Sequence, residues 1–206
     1  MSDLKQVEEV APAVVVVIHS RLATVRLNRP AERNKLSLSV LSELDQSIST
    51  LIKREDLKAI VITGTEDVFT AGADIGELRA LTTETALEFA VRGQRLMQQL
   101  AHAPQLTVAA INGYCMGGGL DLALACDLRV ASKDAVFAHP GARLGIITGW
   151  GGTQRLPRLI GPARALEIFL TARRVRADEA LEMGLVSRIG DPVLECASEI
   201  VAQRAL

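Results

Sequence analysis

The stretch Ala109–Asp127, AAINGYCMGGGLDLALACD, constrains the chain most. Thr107–Ile111 (TVAAI) is a short, β-branched apolar run that reads as a buried strand; Asn112-Gly113 ends it, and Leu120–Ala125 (LDLALA) has the composition of a buried helix. Gly117, Gly118 and Gly119 therefore fall where a loop becomes a helix. Without a Cβ, glycine lets a ligand oxygen reach the backbone, and the first amides of a helix have no intrahelical acceptor. Such a terminus binds anions. If the ligand is a thioester, charge developing on its oxygen during addition or enolisation meets fixed N–H dipoles, worth roughly 3–4 kcal/mol per donor. The same glycines also suit a tight strand-to-helix packing turn. Two phosphate loops are excluded: no G-x-G-x-x-G register fits Gly113, Gly117, Gly118 and Gly119, and G-x-x-x-x-G-K-[ST] does not occur.

The rest of the chain reads as α/β. Val14–Ile18 and Leu22–Leu27, around His19-Ser20-Arg21, predict an opening hairpin. Ser37 is placed to cap a helix whose Leu38, Leu41, Leu44, Ile48, Leu51 and Ile52 form one apolar stripe. Ala59–Thr63 predicts a buried strand, and Glu84–Ala101 a helix with Phe89, Gly93, Leu96 and Leu100 on one side. Pro104 resets the chain before the central strand. This alternation argues for βαβ units and parallel pairing. Leu128–Ala131 and Ala135–Ala138 predict short strands; from Gly151 the chain reads as mainly helical, with Asp178 as N-cap of a helix ending near Gly184.

With 206 residues and 49% hydrophobic content, the chain suits one domain, or a domain with a small appendage, around a sizeable core. A net charge of −1 gives no reason to expect nucleic acid as a partner. Cys115, Cys126 and Cys196, without C-x-x-C spacing, read as buried hydrophobes in a reducing compartment, not as a metal site. The acidic start MSDLKQVEEV lacks the character of a targeting segment, and Val14–Ile18 is too short to span a bilayer. The expectation is a soluble cytoplasmic protein with no membrane association.

A second stretch, Phe69–Leu78 (FTAGADIGEL), again puts small residues after an apolar run. Together with Leu27–Pro30 (LNRP), AAINGYCMGGG, Trp150–Leu156 (WGGTQRL) and Ala180–Val186 (ALEMGLV), in this order and spacing, the chain resembles the crotonase superfamily, the enoyl-CoA hydratase/isomerase family, over about residues 14 to 190. The resemblance implies a spiral of ββα units. It implies a core over residues 1–160 carrying the CoA and oxyanion loops, and a helical C-terminal segment over 161–206, shorter than usual for the family. Relatives continue for some tens of residues, with C-terminal helices that cover the acyl pocket and mediate trimer contacts. A homotrimer or dimer of trimers is the implied assembly.

The resemblance also implies an oxyanion hole from the backbone amides of Ala73 and Gly118. In relatives the segment matching Ala73–Gly76 lies along the CoA adenine and pantetheine, and the resemblance implies Ala71, Asp74, Ile75, Gly76 and Gly117 as substrate-binding residues. The stretch after Asn28-Arg29-Pro30 contributes Ala31 and Arg33, with Arg33 and Lys35 expected near CoA phosphates or, alternatively, as solvated loop charges. Gly76 stands where many relatives place a lysine. CoA is implied as part of the substrate, with no separate cofactor and no metal.

The side-chain chemistry departs from the family pattern. Hydratases use two glutamates to activate water at Cβ and protonate Cα. The first falls at Asp121, as in related dienoyl-CoA isomerases; the second falls at Gly141, and the isomerases' further acid near Gly149. Asp121 is thus either a single proton carrier or a first-turn acid favoured by the helix macrodipole. His139, two residues before Gly141, would share its face if the segment is a strand, supplying a second titrating group. His19 and His102 read as structural, Asp127 as a backbone-bonding turn residue, and Arg143 and Arg155 as partners for a carboxylate near the site. The expected function is hydration or double-bond isomerisation of an enoyl-CoA; the alternatives are a catalytically silent acyl-CoA binder and a scaffold subunit.

Overall fold

A computed structural model describes residues 11–204; the acidic decapeptide MSDLKQVEEV lies outside the described residues. β1 (Val14–His19) and β2 (Leu22–Leu27) form the expected antiparallel hairpin, pairing Val14 with Leu27 through His19 with Leu22. α1 (Leu38–Leu51) starts at Ser37, whose Oγ accepts from the Val40 amide at 3.3 Å. Of the expected stripe, Leu41, Leu44, Ile48 and Leu51 are buried, Ile52 is half-buried and Leu38 stays exposed, while Val40 joins the buried face.

The chain then alternates between two sheets. β3 (Ala59–Thr63), β5 (Leu106–Ile111) and β7 (Leu128–Ala131) extend the hairpin in parallel, and the sheet ends on β10 (Arg188–Ile189), in the order β1-β2-β3-β5-β7-β10. β4 (Val68–Thr70), β6 (Tyr114–Met116) and β8 (Val136–Ala138) make a second parallel set, closed antiparallel by β9 (Val175–Arg176). β3, β5 and β7 are each followed by a strand of the second sheet, β4, β6 and β8 respectively. The first two pairs then lead into α2 (Ile75–Arg79) with α3 (Thr83–Ala101), and into α4 (Gly118–Ala125). This is the expected ββα repetition.

β3 and β5 are buried on both faces, so they read as continuous apolar runs. Alternation still sorts their side chains. Ile60, Ile62, Ala109 and Ile111 join the main core, while Ala59, Val61, Leu106, Val108 and Ala110 pack against Val193, Cys196 and Ala197 of α8 (Val193–Arg204).

Beyond Gly151 the chain forms α5 (Gly152–Ile160), α6 (Pro162–Thr171) and α7 (Ala177–Glu182). The two-residue strands β9 and β10 were not expected there. Asp178 does not cap α7: Arg176 is the N-cap residue and Asp178 lies inside the first turn, where an acid suits the helix dipole. α3 begins one residue before the expected Glu84 because Thr82 and Thr85 form a reciprocal capping box. Among the described residues no helix is long and apolar enough to cross a membrane.

Candidate active site

The ends of β4, β6 and β8 converge, and the loops leaving them build the site. After β4, the Ala71 amide donates to the Arg33 carbonyl at 3.0 Å and the Gly72 carbonyl accepts from the Leu36 amide at 2.8 Å, pinning this loop to the segment before α1. After β6, Gly117 takes φ +52°, a conformation glycine adopts freely, donates to the Ala138 carbonyl at 2.9 Å and opens α4. Gly118 is the first residue of α4, so its amide has no intrahelical acceptor. The Ala73 amide likewise has no acceptor among the described residues. The two are neighbours: a Cβ on Gly118 would lie 3.4 Å from the Ala73 nitrogen, and one on Gly72 2.9 Å from the Gly118 nitrogen.

Beside these amides is a cavity of about 110 Å3. Of the sequence candidates, Ala71, Ala73, Ile75, Gly117, Gly118, His139 and Gly141 line it. Its remaining wall is mostly apolar, from Leu78, Pro140, Leu144, Ile146, Ile147 and Trp150, with Thr148 as a polar exception. Thr148 carries no signal in the sequence, and Trp150 enters there only as the first residue of a motif, with no role at the site. Trp150 is buried, stacks obliquely on Phe89 at 5.3 Å between centroids, and covers Gly118 and Gly93, where any Cβ would collide with its ring. The WGGTQRL motif and the bare Gly93 on the apolar side of α3 were its only signals. A larger cavity, about 910 Å3, lies between the β1–β2 turn, Gln105 and α8; none of the residues expected to bind substrate or catalyse lines it, and of the histidines only His19 does.

Asp121 and His139, 18 residues apart, meet. His139 Nε2 lies 3.2 Å from Asp121 Oδ1, with the residues 4% and 1% exposed. Thr148 Oγ1 donates to the other oxygen, Oδ2. Gly152, at the start of α5, leaves room for the carboxylate: a Cβ there would overlap Oδ1. Phe169 of α6 meets the His139 ring edge-on, 5.2 Å away. Burial holds the neighbouring Cys115 thiol well above its usual range, with the Asp121 charge adding to the effect, so Cys115 is not a nucleophile.

The route by which His139 reaches the site differs from the expected one. β8 stops at Ala138, and Pro140, which has no amide to donate, opens a 3-10 turn over Pro140–Leu144. Strand alternation therefore does not link His139 to position 141. Gly141 sits inside that turn, and its carbonyl accepts from the Ile146 amide at 3.0 Å. Gly149 is exposed, its carbonyl held by Gln94 Nε2 at 2.8 Å.

The remaining candidates lie around the entrance or away from it. Lys35 pairs with Glu32 at 2.8 Å and with Asp74 at 2.9 Å, both of which raise its pKa, while the ammonium holds the Asp74 carboxyl below its ordinary range. Asp74 caps α2 through the Gly76 amide at 2.7 Å. Ala31 and Arg33 are exposed in and just after a 3-10 turn over Pro30–Glu32 and, like Asp74 and Gly76, are not in the cavity wall. Arg143 and Arg155 meet backbone carbonyls, Ala172 and Trp150 respectively, in place of the expected carboxylate, because buried helix ends and turns supply nearer acceptors. Asp127 accepts from the Thr107 amide and hydroxyl at 2.8 and 2.9 Å, so it does bond backbone, but on β5, 20 residues away, and not within its own turn as expected. His102 ends α3 with its ring against the Gln98 carbonyl.

The sequence profile described as enoyl-CoA hydratase/isomerase matches residues 18–204. The chain is 37% identical over 190 residues to a short-chain-enoyl-CoA hydratase of Clostridium acetobutylicum, covering 91% of this chain and 73% of that one. It is 44% identical over 189 residues to a putative enoyl-CoA hydratase/isomerase of Bacillus subtilis, covering 90% and 73%. A crystal structure of an enoyl-CoA hydratase from Bacillus anthracis superposes with a TM-score of 0.90 at 36% identity, covering 94% of this chain and 77% of that one.

Proposed function

Because the chain belongs to the enoyl-CoA hydratase/isomerase family, we propose that it is an enzyme that hydrates an enoyl-CoA thioester or shifts its double bond, through an enolate held by the Ala73 and Gly118 amides. The observation that carries this reading is that two neighbouring amides, without acceptors among the described residues, share one small cavity with His139, which is backed by the buried Asp121. The thioester carbonyl accepts from both amides. Loss of a Cα proton then places negative charge on that oxygen, where fixed dipoles are most effective.

Gly141 favours isomerisation over hydration. Two-residue hydration needs a second acid at this position, but a Cβ here would stand 2.6 Å from the Ile146 carbonyl oxygen. A single proton-moving pair suits transfer between Cα and Cγ. CoA enters as part of the substrate. The exposed Leu166 and Leu170 on α6 support a trimer or dimer of trimers, and three buried, unpaired thiols support a cytoplasmic location.

The test is incubation with a four-carbon 2-enoyl-CoA and its 3-enoyl isomer in D2O, reading deuterium at Cα and Cγ and 3-hydroxyacyl product by mass spectrometry. Exchange or isomerisation without hydration is the expected result. A silent acyl-CoA binder is the second reading, favoured by one observation: both Asp121 oxygens are already engaged and its carboxylate is not in the cavity wall. A thermal shift on CoA esters with no change in either ester would establish that reading.

A further inference from the structure

We infer that His139 is the proton carrier of this site and that Asp121 and Thr148 are positioning residues behind it, an assignment that rests on the reaction proposed above. Sequence position puts the family's acid at Asp121, yet the geometry places it one layer too deep. His139 and Thr148 form part of the cavity wall, and Asp121 does not. Gly152 and α4 enclose its carboxylate, and both of its oxygens are engaged, one by His139 Nε2 and one by the Thr148 hydroxyl. Each oxygen thus already accepts one bond, and the residue is buried and outside the cavity wall, so a substrate carbon in the cavity meets His139 before Asp121.

The same bonds define the ring. Nε2 faces Asp121 and carries its proton there, leaving the Nδ1 lone pair available. Nδ1 has no hydrogen-bond partner among the described residues, and His139 lines the cavity, so Nδ1 is the ring nitrogen left for a ligand bound there. Phe169, edge-on, fixes the ring plane from the opposite element. Among the described residues, Asp121 is the titratable group hydrogen-bonded to the ring, and burial keeps Cys115 a thiol.

The proton step balances without a co-reactant. Nδ1 takes the Cα proton of a 3-enoyl thioester, the C–H electron pair moves into the dienolate, and its oxygen is held by the Ala73 and Gly118 amides. The imidazolium, held by Asp121, then returns the proton at Cγ, giving the 2-enoyl thioester and the neutral ring.

The experiment compares the full-length wild type with His139→Gln, Asp121→Asn, Thr148→Val and Thr148→Ser. Cα deuterium exchange and isomerisation of the two four-carbon esters are read alongside the imidazole N–H signals of 15N-labelled protein. His139→Gln is expected to lose about 100-fold or more in kcat. Asp121→Asn should lose the downfield, exchange-protected Nε2–H signal and turnover with it. Thr148→Val should lower kcat several-fold with KM unchanged, and Thr148→Ser should restore it. A folded His139→Gln variant that keeps wild-type turnover, with Asp121→Asn inactive, would overturn the assignment and make Asp121 the carrier. If the wild type alters neither ester, the proposed reaction fails; the Nε2–H signal then decides separately, and its absence from the wild type overturns the positioning by Asp121.

Discussion

The carbonyl oxygen of Ile146 stands 2.6 Å from where a Cβ on Gly141 would be, and the Ile146 amide donates to the Gly141 carbonyl at 3.0 Å. Position 141 is therefore filled by the turn that follows it. Gly141→Glu must push that turn outward, so it should destabilise the protein by about 1–3 kcal/mol. It should also fail to raise hydration of a 2-enoyl-CoA. Chemical denaturation and a hydration assay on the variant check both; a stable variant with new hydratase activity would show that the turn yields easily and that only a carboxylate was lacking.

Gly118 lies under Trp150, whose ring also covers Gly93 and leans on Phe89. The tryptophan thereby clamps α4 to α3. Trp150→Ala should cost about 3–5 kcal/mol, the range for deleting a buried aromatic ring. Because the Gly118 amide opens the same helix, acyl-CoA affinity should fall as well. Denaturant titration and ligand-induced melting shifts measure the two effects; a Trp150→Ala protein of unchanged stability would mean that the ring is not a clamp.

Lys35 holds Asp74, the N-cap of α2, and depresses its carboxyl pKa. An acid whose folded-state pKa is lowered adds stability above its unfolded value, about 4, and loses it as pH falls through the folded value. Lys35 stays protonated throughout this range. The melting temperature of the wild type should thus exceed that of Lys35→Met at neutral pH, with the gap closing in strong acid, below pH 4. Since Lys35 is committed to Glu32 and Asp74, the same variant should change CoA-ester affinity less than Arg33→Ala, which removes an exposed cation with no carboxylate partner among the described residues. A larger affinity loss in Lys35→Met would return Lys35 to the ligand.

The features legible in the sequence are those written in local periodicity. The apolar stripe of α1 and the Phe89, Gly93, Leu96, Leu100 side of α3 repeat every three or four residues, and β3 and β5 are continuous apolar runs bounded by turns. The glycine triplet likewise announced a helix start. What could not be read depends on approach between distant segments. β9 and β10, two residues each, exist only because β8 and β7 offer them edges. Asp121, His139 and Thr148 share no local pattern; α4 carries the first, the segment between β8 and α5 carries the other two, and only the fold brings them together. Even the meaning of Gly141 changes with the fold, from a missing side chain to a position where none fits.

Gly152 provides the most selective perturbation of the acid–base pair. It is the first residue of α5, and its backbone lies outside the left-handed region, so alanine costs nothing in conformation and gains helix propensity. A Cβ there would nevertheless overlap Asp121 Oδ1 and stand 2.8 Å from the Thr148 Cγ2 methyl. The carboxylate must swing away from His139 or α5 must shift. Gly152→Ala should therefore cost about 1–3 kcal/mol of stability, as modest overpacking does. It should also lower turnover by at least about 10-fold, as loss of an oriented proton carrier does. Combining it with Asp121→Asn separates the two causes: if the glycine acts only through the carboxylate, the double variant is no slower than Asp121→Asn alone. Additive losses would mean that α5 itself had moved and that the effect of residue 152 does not pass through the Asp121–His139 pair.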